Sequence, residues 1–177
     1  MIVIFGNSPF INTVDVEALL PHHTTAACNQ FGYDYPVDAL FSFDDCVEAR
    51  HKAKTLYLPD WSTKEYGQKI VIKSGQKAPF PTMAKQDGKP IYAFQLYTVS
   101  LALQWAIWQK PTGIALVGVD HVETDTVFQH YHGPEGNSQL SPKSHKLLKA
   151  YAAACGRIIP VFQTIPYVAK DWPIPFK

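Results

Sequence analysis

The sequence holds three cysteines, Cys28, Cys46 and Cys155. An odd number with no CxxC pair argues against both a disulfide framework and a zinc-finger frame. Charge of one sign is missing as well: sixteen Lys and Arg stand against fifteen Asp and Glu, a formal net charge of +1. There is no basic field to grip a phosphate backbone, so broad nucleic-acid binding is not expected. Long apolar runs are also lacking. Ile114 to Val119 is broken by Gly118, and the opening MIVIF has neither the basic flank nor the length of an export signal. Neither secretion nor a membrane span is expected, and a reduced cytoplasmic setting suits the free thiols. Cys28 and Cys155 sit in apolar or alanine-rich stretches and read as packing residues rather than nucleophiles.

What is present fits one globular domain spanning residues 1–177, since 46% of the residues are hydrophobic and only 18% charged. Met1 to Phe5 is a continuous β-branched and apolar run that stops at Gly6-Asn7-Ser8-Pro9, as a strand buried on both faces does. Asp15 can cap a short helix carrying Val16, Leu19 and Leu20, with Pro21 ending it, before an extended segment from Thr24 to Cys28. A third strand is expected over Ala39 to Phe43. A helix capped by Asp44 or Asp45 is then expected to run toward Ala53, with a fourth strand over Thr55 to Leu58.

Residues 59–90 concentrate proline and glycine and read as an irregular insertion with one strand near Lys69 to Ile72. Tyr92 to Gln109 has no glycine or proline, and its apolar residues recur at helical spacing. Ile114 to Val119 is a second inner strand, a helix is expected from Ser141-Pro142 through Ala154, and Arg157 to Phe162 supplies a last strand. Strands alternating with helices imply an α/β fold, a mostly parallel sheet with helices on both faces. Ligands of such folds bind outside the carboxyl ends of the strands.

The loops that can build a site are those after Phe5, Cys28, Phe43 and Val119; in the third, Asp44-Asp45 reads first as a helix cap and otherwise as an acidic pair at the sheet end. In Gly6-Asn7-Ser8-Pro9 the glycine lets backbone approach a ligand while Asn and Ser offer donors and acceptors. The same four residues also suit a plain strand-to-helix turn. Cys28-Asn29-Gln30 adds two neutral amides fit for a nucleobase or a sugar. Asp120 follows the LVGV run, with His121, Glu123, Asp125, His130 and His132 close behind, the densest titratable cluster in the chain. A solvated loop accounts for it equally well. Its spacings are weak metal-ligand signals, and no metal ligand is assigned.

The blocks IVIFGNSPFINTVDVEALLP, AACNQFG and LVGVD resemble, in order and approximate spacing, the small bacterial sialyltransferases that cap lipooligosaccharides, and their Rossmann-like relatives of unassigned function. The resemblance implies a single Rossmann-like domain that binds a CMP-sugar donor. Asn7 and Asn29 would contact the nucleotide, Gly6 and Ser8 belong to the same donor-site loop, Asp120 would hold part of the donor, and Asp44 and Thr98 fall near two further donor-contacting positions. The family places tyrosines two and eight residues beyond that aspartate, where this chain has Val122 and Phe128. Its general-base histidine lies in a segment shortened here, which leaves His130 or His132 as the substitute.

The leading expectation is thus a sialyltransferase-like glycosyltransferase acting on a small nucleotide-sugar and a carbohydrate acceptor, with His130, His132 and Asp120 in catalytic roles. The alternatives are a nucleotide- or sugar-binding module without chemistry, and a metal-dependent phosphoryl- or pyrophosphoryl-transfer enzyme. A compact outlier of such a family fits a phage protein.

Overall fold

The computed structural model describes residues 1–43, 47–70, 85–86, 89–90, 98–119 and 150–164. Seven strands form one all-parallel sheet: β1 (Ile2–Phe5), β2 (Thr24–Cys28), β3 (Ala39–Phe41), β4 (Thr55–Pro59), β5 (Gln68–Ile70), β8 (Ile114–Val117) and β9 (Val161–Thr164). Between them in sequence, β6 (Lys85–Gln86) and β7 (Lys89–Pro90) pair antiparallel as a separate two-stranded sheet. The spatial order of the large sheet is β5-β4-β3-β2-β1-β8-β9. As the two unbroken apolar runs require, β1 and β8 lie side by side in the interior, with Ile2 opposite Ile114 and Phe5 opposite Val117.

Alternation along the strands splits the core in two. Ile2 and Ile4 face one side with Ala26, Cys28, Phe41, Ile114 and Leu116, while Val3 and Phe5 face the other with Ala27, Leu40, Leu58 and Val117. The first side is covered by α3 (Thr98–Trp108) and by the helical residues 150–156, here α4. The second is covered by the 3-10 turn Pro9–Thr13, by α1 (Val16–Leu19) and by α2 (Phe31–Asp34). Phe31 of α2 stacks on Phe5 with ring centroids 4.8 Å apart. The handedness of crossovers explains this division. From β1 to β5 strands are added in one direction, from β8 to β9 in the other, and a right-handed connection must then switch faces. The result is the Rossmann-like α/β class, with helices on both faces.

Local signals explain several boundaries. The Asp15 carboxylate accepts from the backbone N–H of Ala18 at 3.0 Å and starts α1, as its position suggests. Pro21 does not stop the chain turning, because a 3-10 turn over Leu20–His22 admits proline near its start. Ten consecutive residues of α3, Thr98 to Ile107, are buried, the mark of a helix packed on more than one side. At the amino edge of the sheet, Asp38 accepts from the Thr25 N–H at 2.8 Å, the Thr25 hydroxyl at 3.1 Å and the Lys54 ammonium at 2.6 Å.

Some expectations need correction. No helix follows Asp44 or Asp45 through the described residues 47–53. The backbone there donates outward instead, Lys52 to Gly32 at 2.7 Å, Lys54 to Val37 at 2.9 Å and Glu48 to the Tyr33 hydroxyl at 2.7 Å. Those donors are spent on the α2 neighbourhood and cannot form a helical ladder. The last strand begins at Val161 rather than Arg157, because the N–H groups of Ile158 and Ile159 both return to the carbonyl of Cys155 and prolong the helix end. Strand β3 ends at Phe41, short of Phe43; β5 is described over Gln68–Ile70, with Ile72 outside the described residues, and α3 is described only from Thr98.

Candidate functional site

The order of strand addition reverses at β1, so the carboxyl ends of β1 and β8 flank the topological switch point, the place where ligands of such sheets bind. At this point backbone meets backbone. The Gly6 N–H donates to Val117 O at 2.8 Å and the Ser8 N–H to Gly118 O at 3.1 Å, which laces the loop after β1 to the end of β8. A Cβ on Gly6 would lie 2.2 Å from Gly118 O, and Gly118 has a φ of +64°. Both positions therefore require glycine, one for close approach and the other for its left-handed conformation.

The expected site residues take distinct places around this crossing. Ser8 caps the 3-10 turn, its Oγ accepting from the Phe10 N–H at 3.2 Å while Ile11 N donates to its carbonyl at 3.0 Å. Ser8 therefore has a structural task as well. Asn7, half-buried between Gly6 and Ser8, has its Oδ1 shut off from solvent and without a hydrogen-bond partner. A buried amide oxygen left in that state costs about 1–3 kcal/mol, which a donor on a ligand would recover.

Asn29, at the carboxyl end of β2, adopts a φ of +51° while its N–H still reaches Phe41 O at 2.8 Å. Asparagine tolerates that left-handed conformation better than most residues, and non-glycine residues so placed concentrate at functional sites. Thr98 reaches the same edge from the opposite face. The end of α3 leads into β8 through Gly113, whose carbonyl receives the Ile2 N–H at 3.0 Å at the amino edge, so α3 runs against the strands. Trp105 meets Phe41, the last residue of β3, at 6.0 Å between ring centroids. Thr98 lies two turns nearer the helix start, about 10 Å further along the axis at 1.5 Å per residue.

Gly6, Asn7, Ser8, Asn29 and Thr98 thus share the carboxyl edge of the sheet. Asp44, Asp120, His130 and His132 lie outside the described residues. Val119, the residue before Asp120, is buried, and its Cγ2 lies 3.0 Å from where a Gly6 Cβ would stand. Sequence reading missed Gly118 as a partner of Gly6, although a glycine closing an apolar strand signals a close backbone approach.

The described residues following β1, β2 and β8 carry no formal charge. Burial pushes the Cys155 thiol of α4 up to about 12, against weaker opposing effects of the Tyr151 hydroxyl and the Arg157 charge. Burial also lowers His51 and raises Tyr57, whose hydrogen bond with Trp105 acts the other way. Among the described residues, no group of three or more His, Cys, Asp or Glu is arranged to hold a metal ion, and no helix is long and apolar enough to cross a membrane.

Comparison with protein-family models, with curated proteins and with solved structures finds no match.

Proposed function

We propose that this chain binds a nucleotide-sugar of the CMP type at the carboxyl ends of β1 and β8 and transfers the sugar to an acceptor hydroxyl. The observation that carries the binding half of the proposal is the buried, unpartnered Oδ1 of Asn7 at the switch point. That oxygen suits a neutral donor such as a ribose hydroxyl or an exocyclic amine. The N–H groups of Gly6 and Ser8 are already given to Val117 and Gly118, so contact with the ligand in this loop falls to the half-buried Asn7, and Asn29 at the neighbouring strand end extends the set of neutral partners toward β3. Resemblance to the lipooligosaccharide sialyltransferases supports the same ligand.

In the transfer reaction the acceptor hydroxyl displaces the nucleotide. A new glycosidic bond forms, the bond from sugar to phosphate breaks, and the hydroxyl proton passes to a base, for which His130 or His132 is proposed. Asp120 would hold the donor. A second reading keeps the binding and drops the chemistry. It is favoured by Val122 and Phe128, which stand where the resembled family uses tyrosines to stabilise the leaving phosphate.

Titration calorimetry with CMP tests the shared binding step. Saturable binding to the wild type that is lost in Asn7→Ala, with circular dichroism unchanged, is the expected result. No heat from the wild type would remove both readings. Turnover of a CMP-sugar that disappears in a His130→Ala/His132→Ala double variant would separate transfer from binding alone.

A further inference from the structure

We propose that Trp61 is the stacking surface for the base of the bound nucleotide; this deepens the nucleotide reading and rests on it. Trp61 follows β4, which ends at Pro59, and its residue surface is 59% exposed. The other large exposed hydrophobic residues among those described are Met1, Trp108 and Ile158. Met1 precedes β1, Trp108 ends α3 and Ile158 precedes β9, so all three belong to the amino edge of the parallel sheet. Trp61 alone of this group stands on the edge that carries Asn7 and Asn29.

The turn holding Trp61 is fastened rather than loose. Ser62 N donates to Pro59 O at 3.1 Å, Lys64 N to the Ser62 Oγ at 3.2 Å, and the Lys69 ammonium of β5 to the carbonyl of Ser62 at 2.8 Å and to that of Lys64. An aromatic ring carried on a fixed turn loses little freedom when a ligand stacks on it.

Placement fits the dimensions of a nucleotide. From β1 to β4 there are three ladder spacings, about 14 Å at about 4.8 Å each. A nucleotide held at Asn7 extends either toward β9 or across the ends of β2 and β3. In the second direction lie Asn29 and Gln30 at the end of β2, and then Trp61 after the end of β4. Amides read an edge but cover no ring face. An exposed indole supplies the flat apolar surface that a base requires, whatever its identity.

The test is calorimetric titration of CMP into the wild type, Trp61→Ala and Trp61→Phe, with unfolding midpoints measured in parallel. Trp61→Ala should bind roughly ten-fold more weakly, in keeping with base stacking on an aromatic, while Trp61→Phe stays within about three-fold of wild type and neither midpoint moves. Trp61→Ala binding CMP as tightly as wild type would overturn the stacking assignment and leave the nucleotide site standing. So would equal losses in Trp61→Ala and Trp61→Phe, because a phenyl ring retains a stacking face. A wild type that does not bind CMP would overturn the nucleotide reading and this inference with it.

Discussion

Gly6 and Gly118 touch backbone to backbone: a Cβ built on Gly6 would stand 2.2 Å from the carbonyl oxygen of Gly118 and 2.8 Å from its carbonyl carbon. The contact joins the exits of two adjacent inner strands, on either side of which lie the loop of Asn7 and the end of β8. Neither backbone can retreat without breaking the hydrogen bonds from Gly6 to Val117 and from Ser8 to Gly118.

Gly6→Ala should therefore lower stability by about 1–3 kcal/mol, the range for overpacking a well-packed site. Gly118→Ala should behave similarly, since its Cβ would lie 2.6 Å from Ile11 Cδ1 at a φ of +64°. Gly156 is the control, with nothing within 4 Å of a Cβ at the end of α4. Alanine there should be neutral or stabilising by up to about 1 kcal/mol. Urea unfolding of the three variants checks the ranking, and a Gly6→Ala midpoint equal to that of Gly156→Ala would contradict the contact.

Asn7→Ala should leave the free protein as stable as wild type or more stable by up to about 1 kcal/mol, because it deletes a buried acceptor that has no partner. The stabilisation given by CMP should vanish in the same variant. Thermal unfolding with and without CMP measures both, and a large loss of stability without ligand would make Asn7 a structural residue instead.

Asp38 should make folding sensitive to acid. Burial acts to raise its pKa, but the Lys54 hydrogen bond, the Thr25 N–H and hydroxyl, and the Lys54 charge together outweigh it and hold the folded value below 3.8. The folded chain therefore binds this proton less tightly than the unfolded chain does. The stability this contributes is present above pH 3.8 and is lost as pH falls through the folded value. Asp38→Ala should cost about 1–3 kcal/mol near neutrality by leaving the Thr25 N–H without its acceptor, and should flatten the fall in stability below about pH 4. An unchanged slope in urea titrations across that range would discount Asp38.

Cys155 should resist alkylation in the native protein at about pH 8. Its thiol is fully buried and its pKa is pushed up to about 12, so almost no thiolate exists to react. Mass spectrometry after iodoacetamide treatment should find Cys155 modified only once denaturant is added. Rapid native labelling would show that α4 opens readily.

Much of the sheet was legible in the chain because its strongest strands are continuous apolar runs. MIVIF and IALV can be satisfied only between two covered faces, and that requirement alone marks β1 and β8 as inner parallel strands. Asp15 was legible for a similar reason, since its cap bond is local. The segment after Asp44 misled because a cap residue states only that a helix can begin. Whether the following N–H groups close a ladder or reach Gly32, Val37 and Tyr33 is decided by what lies opposite them.

Periodicity and short-range turn chemistry, both carried by neighbouring residues, were enough to set the α/β alternation, the apolar strands and the polar residues at their exits. They could not set the meeting of Gly6 with Gly118, the enclosure of Asn7 Oδ1 or the placing of Trp61 on the same edge as Asn29. Each of these depends on strand order, which arises when distant segments pack and right-handed connections choose their faces.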